Sequence, residues 1–281
     1  MNTMLLVTQK IKKTMLLVPL LVMSAFPGIV GAEGLSTEEL AKQSVSNYLE
    51  AAQSGNASEA VKWVIDTRFN STEEQLQQYK ESVNSNPFSD VSLKSITPAT
   101  NNTFLALVEL TRKDDGEINE VSYPVIEQGD SWKVVIDGQE TMSKKVEKLI
   151  KSKMSESKMS ESHISPLAVE LASYGPDYFG AGEKTYSNQF NMTSNRVGIT
   201  GWQQILGTIN KSDASYSIVT KNTFSDDTHG RTFVNAFTYW DGSAFYDTVT
   251  TDQRRNNVYL KVINEMFSKT HIQVRGHVYG N

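Results

Sequence analysis

The chain has 281 residues, 38% of them hydrophobic, no cysteine, and a formal net charge of −5. An acidic balance argues against nucleic-acid binding. The absence of thiols excludes disulfide staples, a cysteine nucleophile and lipid attachment at a lipobox cysteine.

The first 32 residues predict a cleavable secretory signal peptide. Lys10, Lys12 and Lys13 precede an apolar stretch from Met15 to Ile29, and Val30-Gly31-Ala32 supplies small residues before Glu33. The stretch is short of the roughly 20 residues that span a bilayer. No second long apolar run follows, so no transmembrane segment is expected after cleavage. Export without cysteine suits a bacterial secreted protein, extracellular or associated with the cell wall.

Three helix starts come next, each a short polar residue with glutamate three positions on: Ser36 and Glu39, Asn56 and Glu59, Ser71 and Glu74. Such a pair can satisfy free amides reciprocally. The spacing predicts helices over about 37–53, 57–65 and 72–83, with Leu40, Ala41, Val45, Tyr48, Leu49 and Ala52 on the buried face of the first. The period then changes to two. Strands are expected at 91–96, 103–112, 118–126 and 132–136, separated by turns at Lys113-Asp114-Asp115-Gly116 and Gln128-Gly129-Asp130. Helices followed by an antiparallel meander make an α+β layout with a four-stranded sheet.

The Tyr48-Leu49-Glu50-Ala51-Ala52 helix end, the Glu59-Ala60-Val61 helix and the closing Trp132-Lys133-Val134-Val135-Ile136-Asp137-Gly138 strand together resemble the nuclear transport factor 2-like, cystatin-like α+β cone domains of small bacterial secreted proteins. The resemblance covers residues 36–138. It implies a cone that in different members serves enzymes, ligand carriers or dimerising modules. The enzymes carry an Asp/His/Tyr set in the cone, and residues 33–140 of this chain contain no histidine.

Residues 141–163 carry six basic and three acidic groups, an amphipathic helix over about 143–154, and a tandem KMSES repeat from Lys153 to Ser162. This segment reads as a linker between a cone domain at 33–140 and an all-β sandwich domain at 164–281. In the latter, strands are expected near 184–192, 197–205, 216–221, 232–240, 243–250, 257–264 and 272–279. Asp241-Gly242 predicts a hairpin pairing 231–240 with 243–250.

Candidate sites are sparse. Asp227 and His229 form the one close acid–imidazole cluster, within Asp226-Asp227-Thr228-His229, and the segment is expected to be a turn. His271 and His277 lie roughly 20 Å apart along one strand and do not share an ion. Gly180-Ala181-Gly182-Glu183-Lys184-Thr185 lacks phosphate-loop spacing. No metal or cofactor is expected. An aromatic platform for a glycan or protein partner is expected from Tyr239, Trp240 and Tyr246, with Arg254 and Arg255 beside it.

These features lead to the expectation of a secreted, non-enzymatic two-domain protein that binds a cell-wall component, glycan or extracellular protein at or outside the bacterial cell envelope. The alternatives are a secreted hydrolase centred on Asp227 and His229, and a secreted antibacterial or pore-forming effector.

Overall fold

The computed structural model describes residues 35–99, 102–156, 168–208, 210–236, 238, 244–266 and 270–280. The leader, most of the KMSES repeat and His163 lie outside the described residues, as do Tyr239, Trp240 and the Asp241-Gly242 turn.

The first helix, α1 (Thr37–Gln53), begins with a full capping box: Ser36 Oγ accepts from the Glu39 amide while Glu39 accepts from the Ser36 amide. It buries Ala41, Val45, Tyr48, Leu49 and Ala52, but Leu40 is exposed. The second helix, α2 (Ala57–Ala60), is shorter than its sequence pattern predicts. Glu59 caps nothing here. Its carboxylate instead accepts from Lys62 Nζ and Trp63 Nε1. The chain then extends into β1 (Val64–Asp66) before α3 (Thr72–Ser82).

Four antiparallel strands follow: β2 (Phe88–Pro98), β3 (Thr103–Arg112), β4 (Ile118–Gln128) and β5 (Ser131–Ile136). β1 adds a fifth strand, parallel to β5, so the expectation of four strands is corrected. Val64 and Asp66 point to the buried side and Ile65 does not, a period-two signal too short to outweigh the helical one. Helix α1 packs on the inner face of this sheet, against Ala106, Val108, Leu110, Val121, Tyr123 and Val134.

Beyond the sheet come β6 (Glu140–Thr141), α4 (Lys144–Glu156), β7 (Val169–Phe179), β8 (Lys184–Tyr186), β9 (Arg196–Ile205), β10 (Ser212–Lys221), β11 (Asp226–Ala236), β12 (Phe245–Thr250), β13 (Tyr259–Asn264) and β14 (Ile272–Gly280). They form two sheets, in the orders β6-β11-β10-β13-β8 and β12-β9-β14-β7. One apolar cluster lies between them, with Tyr216, Ile218, Leu260 and Val262 from one sheet and Val197, Ile199, Val274 and Val278 from the other.

The expected hairpin of β11 with β12 does not form. β11 pairs with β10 and β6, whereas β12 pairs with β9 in the opposite sheet. The two strands stack across the layers, and Gly230 allows it. A Cβ there would lie 2.3 Å from the Thr250 carbonyl oxygen.

The helical and β-rich halves share side chains. Phe224, from the β10–β11 connection, sits in the core beneath α1, edge-on to Tyr48 and Phe88. Among the described residues no helix is long and apolar enough to cross a membrane.

Candidate ligand cleft and its ionic floor

The junction is built on charge. Asp66 ends β1, and the following turn brings Arg68 back onto it: Nε donates to Asp66 Oδ1 at 2.8 Å and Nη2 to Oδ2 at 2.6 Å. Tyr79 of α3 donates to the same carboxylate at 2.9 Å. The remaining guanidinium nitrogen, Nη1, reaches Asp226 Oδ1 at 3.0 Å. Asp226 Oδ2 accepts from Tyr186 at 2.6 Å and lies 3.0 Å from Lys261 Nζ. Lys261 also lies 3.0 Å from Glu140 Oε1 and donates to the Gly138 carbonyl at 2.7 Å. Glu140 in turn pairs with Arg231.

The side chains of Arg68, Asp66 and Asp226 have no solvent exposure. Buried ions of this kind persist only when each is paired and hydrogen-bonded. Burial alone raises the Asp226 carboxyl. Lys261 and Arg68 outweigh it and hold the group below the usual carboxylate range. Burial lowers the Lys261 ammonium, and the nearby Arg231 and Arg68 add to that against the pull of Asp226.

Above this floor opens a cleft of about 830 Å³ between α3 and the β8 edge. Its walls offer the carboxamides of Asn70, Gln77, Gln78, Asn188 and Gln189 and the rings of Tyr186 and Tyr259. Lys221 stands at its base, 4% exposed. Its Nζ donates to the Arg68 carbonyl at 2.8 Å and lies 4.1, 4.3 and 5.1 Å from the ring centres of Tyr186, Tyr259 and Phe69. Burial pulls this ammonium down to about 8.

A second cleft of about 350 Å³ contains Asp227, His229, Arg254 and Arg255 together with Thr220. The expected turn at 226–229 is strand β11 instead, because Asp226 and Asp227 pair with β6 and, with their neighbours, with β10. The strand alternation turns Asp226 toward the ionic floor and Asp227 with His229 toward the second cleft. His229 is 3% exposed. Its Nε2 is 2.8 Å from Thr220 Oγ1, and its Nδ1 is 4.0 Å from Asp227 Oδ2. Asp227 Oδ1 accepts from Arg112 at 2.9 Å. Burial brings the His229 imidazole down to about 4, against the pull of Asp227. Arg255 is held by Asp252 at 2.8 Å, and Arg254 is exposed.

Of the expected aromatic platform, the described residues include Tyr246, Arg254 and Arg255. Tyr246 is 57% exposed on β12, in the other sheet from Asp227 and His229, and Tyr239 and Trp240 lie outside the described residues. His271 stacks on Tyr178, while His277 Nδ1 lies 2.9 Å from Glu170. Among the described residues no three His, Asp or Glu side chains converge in a metal-binding arrangement.

No protein-family model matches the chain, nor does any curated protein. Among solved structures, an NTF2-like protein of unknown function from Cytophaga hutchinsonii is 9% identical, covering 37% of this chain and 90% of its own, with a TM-score of 0.26. An NTF2-like superfamily protein from Salmonella enterica serovar Typhimurium is 14% identical, covering 36% of this chain and 89% of its own, with a TM-score of 0.24. The likeness concerns fold and brings no activity with it.

The segment from β1 to α3 contributes Asp66, Arg68 and Gln78 to the junction, and the β-rich half contributes Tyr186, Lys221, Asp226, Tyr259 and Lys261. Of this set only Asp226 belongs to a cluster that stands out in the sequence, Asp226-Asp227-Thr228-His229. One signal was available: Lys261 interrupts the apolar run Val258-Tyr259-Leu260-Lys261-Val262-Ile263. A lysine in a strand buried on both faces needs a buried partner.

Proposed function

We propose that the protein is exported and acts outside the membrane as a non-enzymatic binding protein, holding a polar ligand of the cell envelope in the junction cleft. The observation that carries this reading is the cleft lining: five carboxamides and two tyrosine rings around about 830 Å³. Carboxamides donate and accept toward hydroxyl and acetamido groups alike, and rings stack on sugar faces. The volume lies in the range of small-molecule sites. A wall glycan is the ligand class this lining suits best.

The test is calorimetric titration of the chain from residue 33 onward with soluble N-acetylglucosamine–N-acetylmuramic acid oligomers. Saturable binding is expected, weakened about thirtyfold by Gln77→Ala with Asn188→Ala, since each of the two lost hydrogen bonds contributes on the order of 1 kcal/mol. Absence of binding, or binding indifferent to both substitutions, overturns the assignment.

A second reading, hydrolysis at Asp227 and His229, draws support from the Thr220–His229 contact of 2.8 Å in the smaller cleft. A hydroxyl, an imidazole and a carboxylate in sequence have the composition of a nucleophile, base and orienting group. Release of reducing ends from wall polymer that His229→Ala abolishes favours this reading over the first.

A further inference from the structure

We propose that Lys261 and Asp226 condense into an isopeptide bond, with Glu140 as the proton carrier, so that the protein covalently cross-links its own β-rich half. The three groups meet in a closed space. Lys261 Nζ lies 3.0 Å from Asp226 Oδ2 and 3.0 Å from Glu140 Oε1. Lys261 is 1% exposed and Asp226 0%. Glu140 Oε1 is buried and makes no hydrogen bond, so its lone pairs are open to a proton from the Lys261 ammonium that faces it.

The chemistry balances without any outside reagent. Ammonium and carboxylate become amide and water, so a positive and a negative charge disappear together. One ammonium proton passes by way of Glu140 to Asp226 Oδ2, and the freed amine attacks Cγ of the now neutral carboxyl. The tetrahedral intermediate places its oxyanion on Oδ1, which Arg68 Nη1 already meets at 3.0 Å. A second proton leaves the nitrogen. Both protons end on the departing Oδ2, which leaves as water, and Glu140 returns to its starting form.

The step is favoured on two grounds. Amine and carboxyl are held in contact, which in well-oriented intramolecular reactions corresponds to effective molarities of about 10⁵ M or more. The amide also removes two charges from a site where burying them is costly. The bond ties β11 to β13 across β10, and it gives a chain without cysteine a covalent brace of its own.

Intact-mass spectrometry of the purified, denatured protein tests this. The expected mass is one water below that of the sequence, and digestion should yield a branched peptide joining the segments of Asp226 and Lys261. Lys261→Arg, which keeps the charge, should restore the full mass, and Glu140→Gln should leave the protein at full mass. A wild-type protein at full mass after prolonged incubation in the folded state overturns the proposal. So does a water loss that survives Lys261→Arg, which would point instead to a succinimide at one of the Asp-Gly sequences. The readout needs no ligand and stands apart from the cleft assignment.

Discussion

Arg68 and Asp226, 158 residues apart in sequence, meet at 3.0 Å with neither side chain exposed. Asp66 fixes the guanidinium from one side, so Arg68 presents a preset nitrogen to the β-rich half. The two halves are therefore joined by a contact whose geometry is decided in the turn after β1.

Removing that guanidinium leaves Asp66 with Tyr79 but without its buried counter-charge, and leaves Asp226 Oδ1 without its donor. Arg68→Leu should cost about 3–5 kcal/mol, as breaking a buried ion pair does. Urea denaturation followed by tryptophan fluorescence checks it. Arg68→Lys should recover little, because a single ammonium cannot serve Asp66 and Asp226 together.

The shared core predicts cooperativity. Tyr48 and Tyr123 donate to the carbonyls of Thr223 and Phe224, each at 2.5 Å, and Phe224 fills the space beneath α1. Phe224→Ala should cost about 3–5 kcal/mol and lower the thermal midpoint of both halves in one transition. Two separate calorimetric transitions in the wild-type protein would refute this coupling.

His229 makes stability depend on mild acid. Its folded value of about 4 lies below the ordinary value of 6.5, so between these two the unfolded chain binds more protons. Stability from this group is complete above pH 6.5, falls as pH drops toward 4, and is level below that. The full loss is on the order of 3 kcal/mol. His229→Gln should flatten that part of the urea-midpoint profile between pH 6.5 and 4, leaving the carboxylate contribution in place.

Lys221 should show a dependence of the same sign on the alkaline side. Its ammonium is lowered from 10.5 to about 8, so the folded state disfavours the charged form. Between pH 8 and 10.5 the unfolded chain binds more protons, and stability rises with pH. Lys221→Met, which keeps the aliphatic stem against Tyr186 and Tyr259, should therefore be more stable than wild type at pH 7. The difference should shrink by pH 10. A constant difference across that range would show that the ammonium is not desolvated in the folded state.

The local elements were legible because their causes are local. Ser36 and Glu39 cap α1 by contacts three residues apart, and the alternation of Thr103–Arg112 places Phe104, Ala106, Val108 and Leu110 inward regardless of what covers them. Asp227 and His229 were also found from sequence, and they do line one cleft. Their surroundings were not found, because a strand and an aspartate-rich turn read alike until β6 and β10 are in place.

The sequence alone determined where helices start, where the period changes to two, and which faces are apolar, since capping and patterning act within a few residues. Tertiary structure alone decided which strands share a sheet, that Phe224 belongs to the other half's core, and that Asp66, Arg68, Asp226, Lys261 and Glu140 form one cluster. Arg68 with Asp226 and Glu140 with Lys261 join residues more than a hundred positions apart, and a charged side chain carries no mark of its partner until burial removes water as the alternative.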